Sequence, residues 1–546
     1  MAKTRARMAA GGFRAVWRPG PWGRRWAACV GLGLAVLLAA CASLPEPPAA
    51  APSTSLTPAD VGPAPLARVA AASLPSDAVA TGQSGFLLMP EGPTALNARI
   101  ALIRAARKTV DAQYYILQDD ATGLLFLSEL LEAARRGVRV RLLVDDLYTA
   151  GKDALFAALA SQPNFELRLF NPLAVRSGPL AWRLALSLAD LRRINRRMHN
   201  KLLVADNSVA ITGGRNIADE YFMRSDQANF VDMDVLAAGP VVPALSRSFD
   251  DYWNSRQVRP IGSLMALPPD DARTRRLLAE RCEDRRDLLP EAATDVMGHP
   301  PVSAQLAAGR LLLTPGDGRV VVDIPQKVTF DDPEASFADS VSQQTVAMLY
   351  GARREVLMVS PYFVPGDAGL ALLQQQAARG VQVLVFTNSL DATDETLVYA
   401  GYARYRLAML RAGVKIYELG SRLVPRDRRF GEFRHSSARL HAKVMLVDRE
   451  RVFVGSMNLD GRSARLNTEV GVIVDSAALA AQFQALVPVR ELGAYELRLR
   501  PGTESPQWIE HEEGGGQRVL DEEPGDNPLS RMRDWLLLKL LPEDLL

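Results

Sequence analysis

Cysteine is almost missing from this chain, whose 546 residues include three, at Cys29, Cys41 and Cys282. That excludes a disulfide-stapled scaffold and a cysteine-built metal cluster. Lysine is nearly as scarce, with eight residues against 56 arginines, and 64 basic side chains face 62 acidic ones for a formal net charge of +2. Such neutrality leaves no broad basic field for nucleic acid. The apolar run from Trp26 to Ala40 is shorter than the roughly 20 residues of a spanning helix. HExxH and calcium-loop carboxylate spacings are also missing, so neither a metal nor another cofactor is expected. With 48% hydrophobic and 23% charged residues, the composition is that of a globular protein, and the length requires more than one core.

Histidine occurs five times, at 199, 299, 435, 441 and 511. Two of the five anchor a repeat. HNKLLVAD, with His199, Lys201 and Asp206, recurs 242 residues later as HAKVMLVD, with His441, Lys443 and Asp448. Each copy continues into a loop ending in asparagine, Gly213-Gly214-Arg215-Asn216 and Gly455-Ser456-Met457-Asn458, so at least eighteen positions align. Two of the eight lysines also fall in the repeat, which makes coincidence a poor explanation. On an extended segment His199 and Lys201 share a face, as do His441 and Lys443.

A histidine presenting a neutral nitrogen beside a cationic lysine suits attack on a tetrahedral phosphorus with anionic oxygens. Two facing half-sites divide the work, one histidine as nucleophile and the other, protonated, as acid to the departing alkoxide. Both lysines, with Asn216, Asn458 and the Ser456 hydroxyl, are candidates to hold phosphoryl oxygens. After each asparagine an acidic residue stands before an apolar strand, Asp234 in MDVLAAG and Glu469 in TEVGVIV. Such a carboxylate would orient the imidazole. The separations differ, eighteen residues against eleven, which makes Asp232 a rival to Asp234.

The paired segments resemble the two HKD motifs of the phospholipase D superfamily. More narrowly, RRINRRMHNKLLVADNSVAITGGRNIADEYF and TNSLDATDETLVYAGYARYRLAMLRAGVKIYEL resemble its cardiolipin synthase C branch, over about residues 85 to 495. The resemblance implies a two-step exchange through phosphohistidine, in which the second alcohol decides the product. Water gives hydrolysis, and a glycerol hydroxyl of phosphatidylglycerol gives cardiolipin, with phosphatidylglycerol or phosphatidylethanolamine as donor. It implies His199 as nucleophile and His441 as acid and base, within catalytic motifs completed by Asp206 and Asp448, whose role in the family tends to be structural. A nuclease, also found in the superfamily, is disfavoured by the neutral charge. Gly214 in place of a serine breaks the symmetry of the two copies.

The upstream segments repeat as well. ARIALIRAARKTVDAQYYIL with LSELLEAARRGVRVRLLVDDL parallels VAMLYGARREVLMVSPYFV with LALLQQQAARGVQVLVFTNSL. Each reads helix, strand, helix, strand, with helices stopping at AARRG and AARG. The expected fold class is α/β, with two lobes, each a mixed sheet sandwiched by helices; the resemblance adds a pseudo-twofold axis with the active site at the seam. The expected layout is a signal segment over 1–41, a flexible Pro/Ala-rich linker over 42–80, a first lobe over 81–260, a connector over 261–335, a second lobe over 336–495, and a tail over 496–546 with an amphipathic helix.

Arg24-Arg25, the apolar run and Leu38-Ala39-Ala40-Cys41 read as a secretory signal. The LAAC sequence looks like a bacterial lipobox, with Cys41 lipidated and the enzyme on a membrane outside the cytoplasm. Leu180, Trp182, Leu184, Leu188 and Leu191 precede Arg192, Arg193, Arg196 and Arg197. That stretch fits either a surface docking on an anionic bilayer or a core-facing helix with a solvated basic end. The expected partners are phospholipids and a membrane, not nucleic acid.

Overall fold

The computed structural model describes residues 52–187, 190–282, 285, 294–422, 433, 436–487, 493–512 and 516–525. The signal segment, Cys41 and the amphipathic tail expected beyond residue 525 lie outside them. No helix among the described residues is long and apolar enough to cross a membrane.

The first half supplies strands β1 (Ser84–Met89), β2 (Thr109–Tyr114), β3 (Arg139–Asp145), β4 (Phe165–Phe170), β5 (Lys201–Ala205), β6 (Val209–Gly213), β7 (Ala228–Val231), β8 (Asp234–Ala238) and β9 (Val258–Pro260). Strand β10 (Thr314–Val322) follows, and then β11 (Glu355–Val359), β12 (Gln382–Asn388), β13 (Lys415–Leu419), β14 (Ser437–Leu440), β15 (Val444–Val447), β16 (Arg451–Gly455) and β17 (Val470–Asp475). Strands β18 (Ala494–Leu499), β19 (Pro506–His511) and β20 (Gln517–Leu520) close the series. In the first lobe β4-β3-β2-β5-β6-β8 lie side by side, the first three parallel and the rest antiparallel. In the second lobe β13-β12-β11-β15-β16-β17 repeat that order and sense. These are the two mixed sheets expected from the sequence, and Gly137 and Gly380, at φ +89° and +84°, end the helices Ala121–Arg135 and Gly366–Ala378 where the AARRG and AARG patterns place the stops.

Three expected boundaries change. Strand β10, inside the segment read as a connector, pairs antiparallel with β1 of the first lobe and with β17 of the second, joining both sheets into one of eighteen strands among the described residues. Its short apolar run, Val320-Val321-Val322 after a glycine-rich start, stands among prolines and carries little strand signal of its own. The linker is not extended from residue 52 onward. It forms short helices at Pro58–Val61, Pro65–Ser73 and Ser76–Ala80, and Ser55 hydrogen-bonds Asp250 and the buried Arg141. The tail contributes β19 and β20 as a hairpin on β18, with Trp508 Nε1 donating to buried Glu418 at 2.8 Å.

Packing among the described residues produces three apolar clusters. One lies under the outer helices of each lobe, and the third draws Leu202, Val204 and Val235 together with Val444, Leu446 and Val472 between the lobes. Strands buried on both faces carry near-continuous apolar runs for that reason. The motif aspartates stand at the turns after β5 and β15 in the left-handed region, Asp206 at φ +49° and Asp448 at φ +55°. The Asp206 carboxylate accepts the backbone N–H groups of Arg107, Lys108 and Thr109, and Asp448 accepts those of Arg353, Arg354 and Glu355. Both tie a strand start to the motif hairpin, so within the two catalytic motifs their observed contacts are those of structural partners.

Asp206 is fully buried and Asp448 half-exposed. Asp206→Ala is therefore expected to lower unfolding free energy by about 3 kcal/mol, from charge-assisted bonds lost and donors left unpaired. Asp448→Ala should cost less. Urea denaturation of both variants measures the difference.

Candidate active site

The site forms where each lobe reaches into the other. Strand β14 runs parallel to β7, Leu440 opposite Val231, and His441 N donates to Val231 O at 2.7 Å. On the pseudo-symmetric side Met198 bridges Thr468, and His199 N donates to Thr468 O at 2.9 Å. The next residue in each host segment is a carboxylate, and it takes the imidazole. His199 Nδ1 lies 2.9 Å from Glu469 Oε2, and His441 Nδ1 lies 2.7 Å from Asp232 Oδ2. Each histidine is thus oriented by the opposite lobe.

The orienting residue in the first lobe is Asp232, and Asp234 does not fill that role. Strand register gives the reason. Gly213 of β6 faces Asp234, whereas Gly455 of β16 faces Gly471, so Asp234 is the counterpart of Gly471, and Asp232, two residues earlier, matches Glu469. The unequal spacing in sequence comes from the longer loop that carries β7. Asp234 instead pairs with the buried guanidinium groups of Arg99 at 2.9 Å and Arg215 at 3.2 Å.

Ser456 is also reassigned. It is fully buried, its hydroxyl donates to Glu469 Oε2 and accepts from Val470 N at 3.0 Å, and so it steadies a carboxylate and does not bind substrate. Gly214 occupies the equivalent place because a Cβ there would collide with the Asp232 carboxylate. Asn216 braces its loop, accepting Ile116 N at 3.1 Å and donating to Tyr221 Oη at 2.9 Å. The Asn458 Oδ1 is buried without a donor among the described residues.

Lys201 Nζ donates to His199 O at 2.6 Å and Lys443 Nζ to His441 O, which leaves further N–H donors on each ammonium. Tyr115 stacks edge-on against His199 at 5.0 Å between ring centres, and Tyr221 and Phe230 flank His441 at 5.0 and 4.9 Å. The sequence offered no signal for Tyr221 or Phe230. It did contain one for Asp145 and Asn388, the last residues of the parallel strands β3 and β12. Asp145 Oδ2 accepts Met198 N at 2.9 Å and Asn388 Oδ1 accepts Leu440 N at 2.8 Å, so each clamps the residue before a catalytic histidine. The expected basic cluster ahead of His199 is largely engaged internally, Arg197 with Asp145 and Arg193 with Asp190, while Trp182 is exposed. In the connecting segment Asp323 Oδ2 accepts both Lys327 Nζ at 2.7 Å and Glu469 N at 2.9 Å, behind the carboxylate that holds His199.

Burial, reinforced by the neighbouring lysines, lowers His199 to about 4 and His441 to about 3, against the opposing pull of Glu469 and Asp232. Burial also brings Lys443 down to about 8. Although burial opposes it, His441 and Lys443 hold Asp232 at about 2. At neutral pH both imidazoles are therefore uncharged, each with Nδ1 against a carboxylate and, for His441, also 2.9 Å from Lys443 Nζ; a proton held on Nδ1 leaves Nε2 for a ligand. An anionic diester between them favours protonation of one.

Fold and site together define an enzyme of phosphodiester exchange built from a duplicated histidine–lysine half-site. The family described as "Cardiolipin synthase, PLD-like domain" matches residues 100–253 and 345–487. The chain is 37% identical over 446 residues to cardiolipin synthase C of Escherichia coli (strain K12), covering 80% of this chain and 90% of that protein. It is 28% identical to cardiolipin synthase A of Pseudomonas putida (strain GB-1), over 73% of this chain and 67% of that one. The phosphatidylserine synthase structure from Haemophilus influenzae Rd KW20 shares the fold at a TM-score of 0.53 and 13% identity, covering 85% of this chain and 96% of that chain. The chain belongs to the phospholipase D-like cardiolipin synthase family.

Asp232→Asn and Glu469→Gln are each expected to lower kcat on the order of 10³-fold through loss of tautomer and orientation. Asp234→Asn should mainly reduce stability, because it strips two buried guanidinium groups of their counter-ion; kcat beside denaturation midpoints separates the two effects. The depressed histidines also set a pH dependence. An unfolded histidine binds its proton near 6.5, above the folded values of about 4 and 3, so the unfolded state takes up protons first and stability falls as pH drops below 6.5. Urea midpoints at pH 7.5 and pH 5 should show a steeper loss for the wild type than for a His199→Gln, His441→Gln double variant.

Proposed function

We propose that the protein is a phosphatidyltransferase that makes cardiolipin from phosphatidylglycerol and a second phospholipid. The observation that carries this reading is the crossed pairing of His199 with Glu469 and His441 with Asp232, which turns two Nε2 atoms toward one seam between two lysines. In the first step His199 Nε2 attacks phosphorus, the bond from phosphorus to the head-group oxygen breaks, and His441 in its protonated form gives that oxygen its proton. In the second step His441, now neutral, removes the proton from a glycerol hydroxyl of phosphatidylglycerol. That oxygen bonds to phosphorus and the P–N bond to His199 breaks, which restores both histidines. Lys201 and Lys443 balance the charge on the phosphoryl oxygens. Phosphatidylglycerol or phosphatidylethanolamine serves as donor.

The N-terminal reading belongs to the same proposal. Lipidation of Cys41 after removal of the signal segment would hold the enzyme on the extracytoplasmic face of a membrane, where its substrates lie. Two acyl signals or one acyl chain with further contacts are needed for stable anchoring.

The test is mass spectrometry of lipids after purified, detergent-solubilised protein meets phosphatidylglycerol with and without phosphatidylethanolamine. New cardiolipin is expected from the wild type, and none from His199→Ala or His441→Ala. Phosphatidic acid alone would make the enzyme a hydrolase, and turnover surviving in the double alanine variant would sink the mechanism. For the anchor, labelled palmitate should enter the wild-type chain in cells and fail to enter Cys41→Ser.

A further inference from the structure

The outer layers of the two lobes differ at one place. In the first lobe the turn Asp219–Phe222 buries Tyr221 and Phe222 against the helices Gly92–Ala105 and Ala121–Arg135. Contact is so close that Gly92 has no room for a Cβ beneath Phe222. Moving along the chain by the 242-residue interval of the repeat, Tyr221 and Phe222 become Ser463 and Ala464, in the short helix Gly461–Arg465. Two aromatic rings are missing from the second lobe, and a cavity of about 700 Å³ opens there. That volume lies within the roughly 300–1,000 Å³ of ligand pockets.

The cavity walls are apolar, with Leu349, Met358, Leu372 and Met445 among them. Met445 connects the cavity to the catalytic half-site. The β15–β16 ladder extends to Lys443, whose carbonyl accepts Gly455 N at 3.2 Å, so Lys443 and Met445, two residues apart, face the same side of the sheet. At the buried end stands Asn458, the last residue of the second motif loop, with its unpartnered Oδ1. At the outer rim stand the exposed carboxylates of Glu334 and Asp367. Arg465 and the buried Asp460 also line the cavity, and its largely apolar walls suit the neutral part of a molecule whose anionic group is drawn to the motif lysines.

We propose that this cavity receives one fatty acyl chain of the phospholipid whose phosphodiester is held between His199 and His441. The assignment rests on the phospholipid reading above and adds to it which lobe holds the chain. In the first lobe the corresponding positions carry the buried rings of Tyr221 and Phe222.

The test refills the cavity. Ala464→Phe restores the ring that the first lobe carries, and Val346→Phe fills the same space from the helix Val341–Tyr350. Each variant is assayed on dioleoylphosphatidylglycerol in mixed micelles, by total phospholipid consumed, and on bis(p-nitrophenyl) phosphate, which has no acyl chain. Expected is a loss of about tenfold or more in kcat/KM for the lipid, mostly through KM, with the aryl diester unchanged within about twofold. Wild-type rates on both substrates in both variants would overturn the proposal, as would equal losses on the two substrates. Wild-type conversion of the lipid to phosphatidic acid in place of cardiolipin would overturn the transferase reading while leaving the acyl-chain comparison intact, because consumption is scored in either case.

Discussion

Two hydrogen bonds that cross the pseudo-twofold seam, His199 to Glu469 and His441 to Asp232, hold the chemistry of this protein together. Neither lobe contains an oriented catalytic histidine of its own. The backbone repeats the crossing, since His199 and His441 each donate an N–H to the residue that precedes the opposite carboxylate. Every larger feature serves that registration. Strand β10 fuses the two sheets, the central apolar cluster joins their inner faces, and Asp206 and Asp448 fix the hairpins on which the motifs stand. A buried carboxylate beside a buried imidazole is costly unless its remaining lone pairs are met. Ser456 and Ser463 meet them for Glu469, and Met233 N does so for Asp232.

Duplication explains the architecture, and the departures from symmetry carry the specificity. Gly214 and Ser456 occupy equivalent positions yet solve different problems, one giving room to a short carboxylate and the other supplying a hydroxyl to a longer one. Arg215 of the first lobe, where the second has Met457, brings in Asp234 and Arg99 as a buried ionic cluster. The two halves thus differ in what packs around their motifs, with the rings of Tyr221 and Phe222 in one and a cavity beside Ala464 in the other.

Much of the site could be read from residues alone, because its chemistry is confined to a short motif whose letters are rare in this chain. His199, Lys201, His441 and Lys443 recur at equal spacing, and the strands behind them show as continuous apolar runs. The choice between Asp232 and Asp234 could not be read, since both are acidic residues before the same strand and only the pairing of Gly213 with Asp234 and of Gly455 with Gly471 separates them. Ser456 was misplaced for a related reason, a hydroxyl next to a motif being equally suited to a phosphate and to a carboxylate. The proline and alanine content of the linker points to flexible chain and that of residues 261–335 to a mere connector, whereas tertiary contacts with Asp250 and with strands β1 and β17 give both segments ordered places.

The sequence by itself determined the duplicated half-site, the alternation of helix and strand in each lobe and the phosphorus chemistry, because these depend on residue type and local spacing. The tertiary structure alone decided which carboxylate serves which histidine, that the service is given across the seam, and that a cavity opens beside the second motif. Those are consequences of strand register and of contacts between residues more than two hundred positions apart, and no local pattern in the chain encodes them.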